Sequence, residues 1–448
     1  MRFQVKARRL PAVLPVVLTL CAALSASSAD AQTVRQVSTD SLIYDLKNPD
    51  AGRRTDAVRQ LGTAKFVPSI PALLPLTEDP DAGVRRQLEL AFEEMNDIQT
   101  LPGFVQLSAD SEADIRDRSV HALVNLHLPR ESGPTAALMK FGNLINPWLD
   151  EHAGTVVEPD VPVDASVITA LRARMSDSED GIRRAASQGL GILRGSAAIP
   201  ELLQALGQDR DPEVRFQSVR ALKKIGDASV GDRLLPGLNL NVEKVRNEII
   251  ITLGALRYRE AVPDLTRVFE DSKPADKARP LALSALADIG SPDSRALFLG
   301  NKADKDVTIR TYANEGLARL ADASLLTLMS ADRLTEKNAR VQTAQAFGLL
   351  RLGRKEYLDE LVRALEKLPT KDLAREYLHE TLPADRPALF ASRPKSAFGR
   401  AEFADVLGLM GDKAALPALQ ELERDNDATV ARNAERAVRR ITAAPRFD

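Results

Sequence analysis

The hydrophobic positions of this chain follow one pattern that returns along most of its length. Three stretches display it: DPEVRFQSVRALKKIG (Asp211 to Gly226), DVTIRTYANEGLARL (Asp306 to Leu320) and DGIRRAASQGLGIL (Asp180 to Leu193). Each opens on an acidic turn, continues with an apolar residue and usually Arg, and sets further apolar residues seven and ten positions beyond that Arg. Used as a marker, this position falls at Arg54, Arg85, Arg116, Arg183, Arg215, Arg246, Arg279, Arg310, Gln342, Arg375, Arg400 and Ala431. The spacings are 31, 31, 67, 32, 31, 33, 31, 32, 33, 25 and 31. A fixed period of this length signals a repeat architecture.

A second marker keeps the same register. Pro71, Pro102, Pro200, Pro263 and Pro417 each lie 17 residues after their Arg and open an apolar helical stretch, as in Ile199-Pro200-Glu201-Leu202-Leu203. Proline suits the first helical turn, where its missing N–H would be unpaired anyway, so each Pro predicts the start of a second helix. Asp50, Asp81, Asp211, Asp306 and Asp427 stand four residues before the marker and predict N-caps of the first helix. Gly62, Gly191, Gly226, Gly254, Gly290, Gly353 and Gly408 close the first helices, by positive φ or by close approach. A two-helix unit cannot bury its apolar faces alone, so units must stack. The expected fold is all-α: a right-handed α-solenoid of about twelve helix-turn-helix units.

The acidic turn, the Val-Arg or Ile-Arg pair, the Ala-Leu-Gly ending and the Ile-Pro-x-Leu-Leu second helix resemble HEAT repeats, in particular the short subclass named after the bilin (PBS) lyases. The resemblance runs from about Ser41 to Thr442. It implies a fold used mainly as a protein-binding scaffold and occasionally as an enzyme, and a fold alone does not license a chemistry.

Two breaks interrupt the period. Between Arg116 and Arg183 the segment from Leu128 to Ser166 carries Phe141, the sole Trp (Trp148) and an acidic, Pro-containing stretch to Asp164. Thr135 to Leu149 reads as a degenerate helix followed by a surface loop; as a loop on a solenoid, the same segment would be a recognition element, with Phe141 and Trp148 as anchors. The second break, from Leu368 to Lys395, reads as an eroded unit. The domain reading is therefore 1–31 a targeting segment, 32–127 amino-terminal repeats, 128–176 an irregular repeat with an insert, and 177–448 a continuing array.

Composition narrows the class. With 44% hydrophobic residues, 28% charged, 4% aromatic and a net charge of −2, the chain can build a large core and offers no global attraction for nucleic acid or acidic membranes. Residues 1–31 show a basic start (Arg2, Lys6, Arg8, Arg9), an apolar run from Pro11 to about Ala23, and a small-x-small ending Ala29-Asp30-Ala31. That layout predicts a secretory signal cleaved before Gln32, hence a periplasmic or extracellular protein with no membrane span after cleavage. The alternative is a retained anchor, although Pro11 and Pro15 interrupt a run already short for a span of about 20 residues. A lipid-modified Cys21 is a third option, with Leu20 where such signals carry a small residue. Cleavage would remove Cys21, the single cysteine, leaving core packing to hold the fold.

Candidate chemistry is sparse. His121, His127, His152 and His379 are the only histidines. His379-Glu380 resembles the His-Glu pairs that hold two irons in the HEAT-repeat enzyme deoxyhypusine hydroxylase, but that family uses several pairs and this chain has one. Gly189-Leu190-Gly191-Ile192-Leu193-Arg194-Gly195 lacks the spacing and preceding strand of a dinucleotide loop. No nucleophile elbow or Walker motif occurs, and no cofactor or metal is expected. A HEAT-repeat enzyme or enzyme subunit, of the metal-dependent hydroxylase or lyase type, stands as the alternative to a non-catalytic scaffold.

The recurring arginines (Arg54, Arg85, Arg116, Arg183, Arg215, Arg246, Arg279, Arg310) are read as a structural ladder, pairing with acidic residues of adjacent units along the stack; a stripe for an anionic partner is the competing reading. The expected partner is a protein held on a concave wall of second helices. Positions 18 and 21 after each marker would line that wall: Gln106, Glu201, Gln204, Asp264, Arg267 and Glu421.

Overall fold

A computed structural model describes residues 39–128 and 155–443. Residues 1–31, expected to be a targeting segment, and Phe141 and Trp148 lie outside the described residues. Among those described, every regular element is helical. Twelve first helices carry the markers: α1 (Ala51–Thr63), α2 (Ala82–Met95), α3 (Ala113–Asn125), α4 (Asp180–Ile192), α5 (Pro212–Ile225), α6 (Glu243–Ala255), α7 (Ala278–Ile289), α8 (Val307–Leu320), α9 (Ala339–Arg351), α10 (Lys371–His379), α11 (Ala397–Met410) and α12 (Ala428–Thr442). Shorter second helices alternate with them, and most, such as Ile199–Gln208 and Val262–Asp271, are entered through a single 3-10 turn, whereas Arg386–Phe390 is not. The chain divides into two compact units, Met1–Ala122 and Leu123–Asp448. Each is an all-α solenoid.

Local chemistry sets the helix starts. The carboxylates of Asp50, Asp81, Asp211, Asp306 and Asp427 each accept from a backbone N–H of the first helical turn, meeting donors that would otherwise lack a partner. Where the acidic cap is missing, Asn338 and Ser396 take its place for α9 and α11. Pro71, Pro102, Pro200, Pro263 and Pro417 all sit in the first turn of a second helix.

The marker arginines bind the turns between units. Arg85 donates from Nη1 to the Asp79 carbonyl in the turn before its helix, and from Nε and Nη2 to the Asp110 carboxylate in the turn after the unit, at 2.6 and 2.9 Å. Asp110 in turn accepts from the Glu112 N–H. Arg54 with Asp79, Arg183 with Asp209, Arg310 with Glu336 and Arg400 with Asp425 repeat this arrangement. Three others reach backbone carbonyls. Arg116 donates to the Asp110 carbonyl, Arg215 to the Leu206 carbonyl, and Arg279 to the Phe269 carbonyl while lying 3.9 Å from that ring's centre. Arg246 lines a depression with Asp264, Arg267 and Asp271.

Within the second compact unit the successive first helices from α4 to α12 lie against one another, and second helices such as Ile199–Gln208, Val262–Asp271 and Leu416–Leu422 pack on the first helix of the following unit. Small residues allow this. A Cβ on Gly191 would stand 2.6 Å from Ala221 Cα, and one on Gly254 would stand 2.6 Å from Ala285 Cα. Gly62 faces Ala91 and Gly408 faces Ala437 in the same way. These glycines therefore serve close approach. The left-handed residue that ends the helix lies three positions on, at Lys65, Arg194 and Arg257, whereas Gly226, Gly290 and Gly353 adopt positive φ themselves.

The tight first-helix row is the inner row of the second compact unit. Arg257, after α6, bonds Glu380, after α10, across 123 residues of sequence. This corrects the expectation of a concave wall made of second helices. The row with Gly-Ala contacts is the shorter one, so the stack bends toward it and the second helices are carried to the outside.

Arg85 and Asp110 expose only 12% and 3% of their side chains, so removing one partner leaves the other shielded and unpaired. Arg85→Ala is expected to cost about 2 kcal/mol in urea-unfolding measurements on the full chain. Arg59→Ala, which breaks an exposed pair with Asp56, should leave the transition unchanged.

Candidate functional site

The densest group of buried charge lies on the inner row of the second compact unit. Asp288 of α7, Glu315 and Arg319 of α8, Arg351 of α9, Glu376 of α10, Glu380 and Arg257 converge there. Each side chain sits near the carboxyl end of a first helix or in the turn beyond it, and curvature brings those ends together.

Arg319 is the centre. Its side chain is 4% exposed, and its guanidinium reaches four carboxylates: Glu315, Asp288 at 3.2 Å, Glu376 at 2.5 Å and Glu380 at 2.9 Å. Glu380 also accepts from Arg257 at 2.8 Å. Beneath them the Tyr377 ring, fully buried, stacks on Phe347 at 4.4 Å with 4° between planes, and Arg319 and Arg351 lie 5.9 and 5.8 Å from the Phe347 ring centre.

Burial and crowding shift the titrating groups. Desolvation pushes the Glu315 carboxyl up to about 8; Arg319 resists this, while Glu376 and Asp288 add to it. Asp288 is raised to about 6, again chiefly by burial. Burial alone would lower the Arg319 guanidinium, but the surrounding carboxylates outweigh it and hold it charged. Burial lowers Arg351 against the pull of Glu380, and raises the Tyr377 hydroxyl well above its ordinary range.

Oxygens of Asp288, Glu315 and Glu376 lie within 4.8 Å of one another, the spacing of a cation site. The cation already there is Arg319, bonded to all three. The described histidines point elsewhere: His379 Nε2 meets the Leu409 carbonyl at 3.1 Å, His121 the Asp117 carbonyl and His127 the Leu123 carbonyl. The pair His379-Glu380 is therefore divided, with only Glu380 joining the cluster. This donor set does not fit a two-iron centre, which needs convergent imidazole and carboxylate ligands.

The positions expected to line a concave wall pair locally, and those of the second compact unit lie on its outer row. Glu201 accepts from Arg172 of the preceding second helix, Glu421 from Arg393, and Gln106 from Thr77. Asp264 pairs with Arg267 at 3.1 Å, and Gln204 donates to Gln208. The inner cluster escaped the sequence reading because its members are up to 123 residues apart. A signal was present. Charges recur five and nine positions after the marker in nearby units, at Glu315 and Glu380, and at Asp288, Arg319 and Arg351.

Because Glu315 takes up its proton more readily folded than unfolded, the folded chain binds more protons between its ordinary value near 4.5 and about 8. Stability from this group is full at low pH and falls as pH rises through that window. Between pH 5 and 8, Glu315→Gln should remove at least about 1.4 kcal/mol of the decline, the equivalent of one pKa unit, read as a flatter dependence of Tm on pH.

Known proteins resemble this chain in its repeats. The HEAT-repeat family pattern matches residues 168–242 and 232–318, and the PBS lyase HEAT-like repeat matches residues 399–425. Deoxyhypusine hydroxylase of Drosophila pseudoobscura pseudoobscura is 25% identical over 242 residues, covering 50% of this chain and 76% of the relative. That of Gallus gallus is 26% identical over 213 residues, covering 46% and 68%. Among solved structures, an engineered protein overlays with a TM-score of 0.39 at 16% identity, covering 90% of this chain and 98% of its own. The CpcE–CpcF complex of phycocyanin lyase from Nostoc overlays at 0.35 and 20% identity, covering 60% and 93%. The stacked two-helix units therefore include HEAT repeats across residues 168–318 and a unit of the PBS lyase HEAT-like type at residues 399–425.

Proposed function

We propose that this HEAT-repeat protein is an exported, non-catalytic scaffold, working in the periplasm or outside the cell, that holds a protein partner. The observation that carries the reading is the Arg319 guanidinium. It occupies the centre of the acidic group that would otherwise be the best place for a catalytic cation, so the inner wall spends its ionisable groups on one another. What remains accessible is the outer row, where Gln204, Asp264, Arg267 and Glu421 vary in charge from unit to unit over a constant apolar interior. Extended surfaces of this kind are what stacked repeats offer a protein ligand. Phe141 and Trp148 of the insert are a second candidate contact. Export rests on the three-part layout of residues 1–31 and implies a mature chain beginning at Gln32.

An enzyme or enzyme subunit on the same repeats is the second reading, favoured by the hydroxylase relatives. Affinity capture from the native envelope, with metal analysis of the same purified protein, separates the two. A scaffold should retain a specific protein and no stoichiometric iron; stoichiometric iron would transfer the assignment to the enzyme. Combined charge reversal of Asp264, Arg267 and Glu421 should reduce capture at least fivefold without lowering Tm by more than a few degrees, since ion pairs at the surface contribute little. Undiminished capture would exclude the outer row as the contact.

A further inference from the structure

Residues 155–160 (Thr-Val-Val-Glu-Pro-Asp) belong to no helix, yet they are held at both ends of the second compact unit. The Val157 N–H donates to the Ile192 carbonyl at the carboxyl end of α4, at 2.8 Å. The next residue, Glu158, takes a two-pronged bond from Arg440 in the last turn of α12, one prong at 2.6 Å, across 282 residues of sequence. Asp160 lies 3.8 Å from Arg439. Val157 is 2% exposed, and the Glu158 and Arg440 side chains are 15% and 19% exposed. The other acids acting on Arg440 are Asp160 and Asp405 of α11, and Asp405 also pairs with Arg436.

These contacts have the form of peptide recognition. A free carbonyl at a helix end accepts a main-chain N–H from an extended segment, one apolar side chain is buried, and two adjacent arginines take acids spaced two residues apart. The carboxyl ends of α4 and α12 thus make an edge that selects an extended apolar-acid-x-acid sequence, and the chain presents such a sequence to itself.

We propose that residues 155–160 are an internal occupant of a peptide-docking edge formed by α4 and α12, and that the protein partner of this scaffold docks there through an extended acidic peptide that displaces them. The inference rests on the scaffold reading and deepens it by naming the partner's chemistry. It makes the segment an autoinhibitory contact: the edge is closed in the resting chain and opens only to a ligand that competes for Arg440.

The test uses the full chain and a synthetic capped peptide, Thr-Val-Val-Glu-Pro-Asp-Val-Pro. Glu158→Ala combined with Asp160→Ala should bind the peptide at least tenfold more tightly than the unsubstituted chain, and adding Arg440→Ala should abolish the gain. A folded double variant that does not bind, or binding that survives Arg440→Ala, overturns the proposal. Should the double variant fail to fold, hydrogen exchange in the unsubstituted chain decides. Saturating peptide should speed exchange of the Val157 amide at least tenfold if it displaces the segment, and an unchanged rate makes the segment a fixed structural cap. Failure here with successful envelope capture would leave the scaffold reading standing and move the contact elsewhere.

Discussion

The close approach of successive first helices governs what the rest of this molecule can do. Ala221 meets Gly191 and Ala285 meets Gly254 at distances that leave no room for a Cβ on the glycine, so the backbones of that row come nearer than those of the second helices. A stack shortened along one row must bend toward it. Curvature then brings together side chains that no local rule would associate, and the buried charges at the carboxyl ends of α6 to α10 are the product.

Buried ions are costly unless each finds a partner. Here the cost is met collectively, because Arg319 serves four carboxylates and Glu380 also serves Arg257. Removing either hub would strand several groups, so the cluster is cooperative where the turn clamps of Arg54, Arg85 and Arg183 are independent copies. The two kinds of ionic contact do different work. The clamps join neighbouring units, and the cluster joins a run of units across the curve.

What could be read from sequence was what is encoded locally. The Asp caps, the Pro that opens each second helix and the periodic Arg all depend on residues a few positions apart, and each appears where the spacing put it. Which row faces inward was not legible, because it depends on the distance between helices rather than on the face of any one of them. The same limit hid the pairing of Glu158 with Arg440. It also hid the helix Ala165–Arg174, whose Arg172 reaches Glu201 on the next second helix and so marks it as a member of the outer row. The search for ligands by short motifs overlooked Arg319 because its partners Glu376 and Glu380 lie 57 and 61 residues away.

Repeat arrays usually fold from neighbour to neighbour, since each unit needs only the one beside it. The bond between Glu158 and Arg440 departs from that economy of range, because its acid leaves the ribosome 282 residues ahead of its arginine. At ordinary rates of synthesis that interval is on the order of tens of seconds. The contact that ties α4 to α12 therefore cannot form until every unit between them has been made.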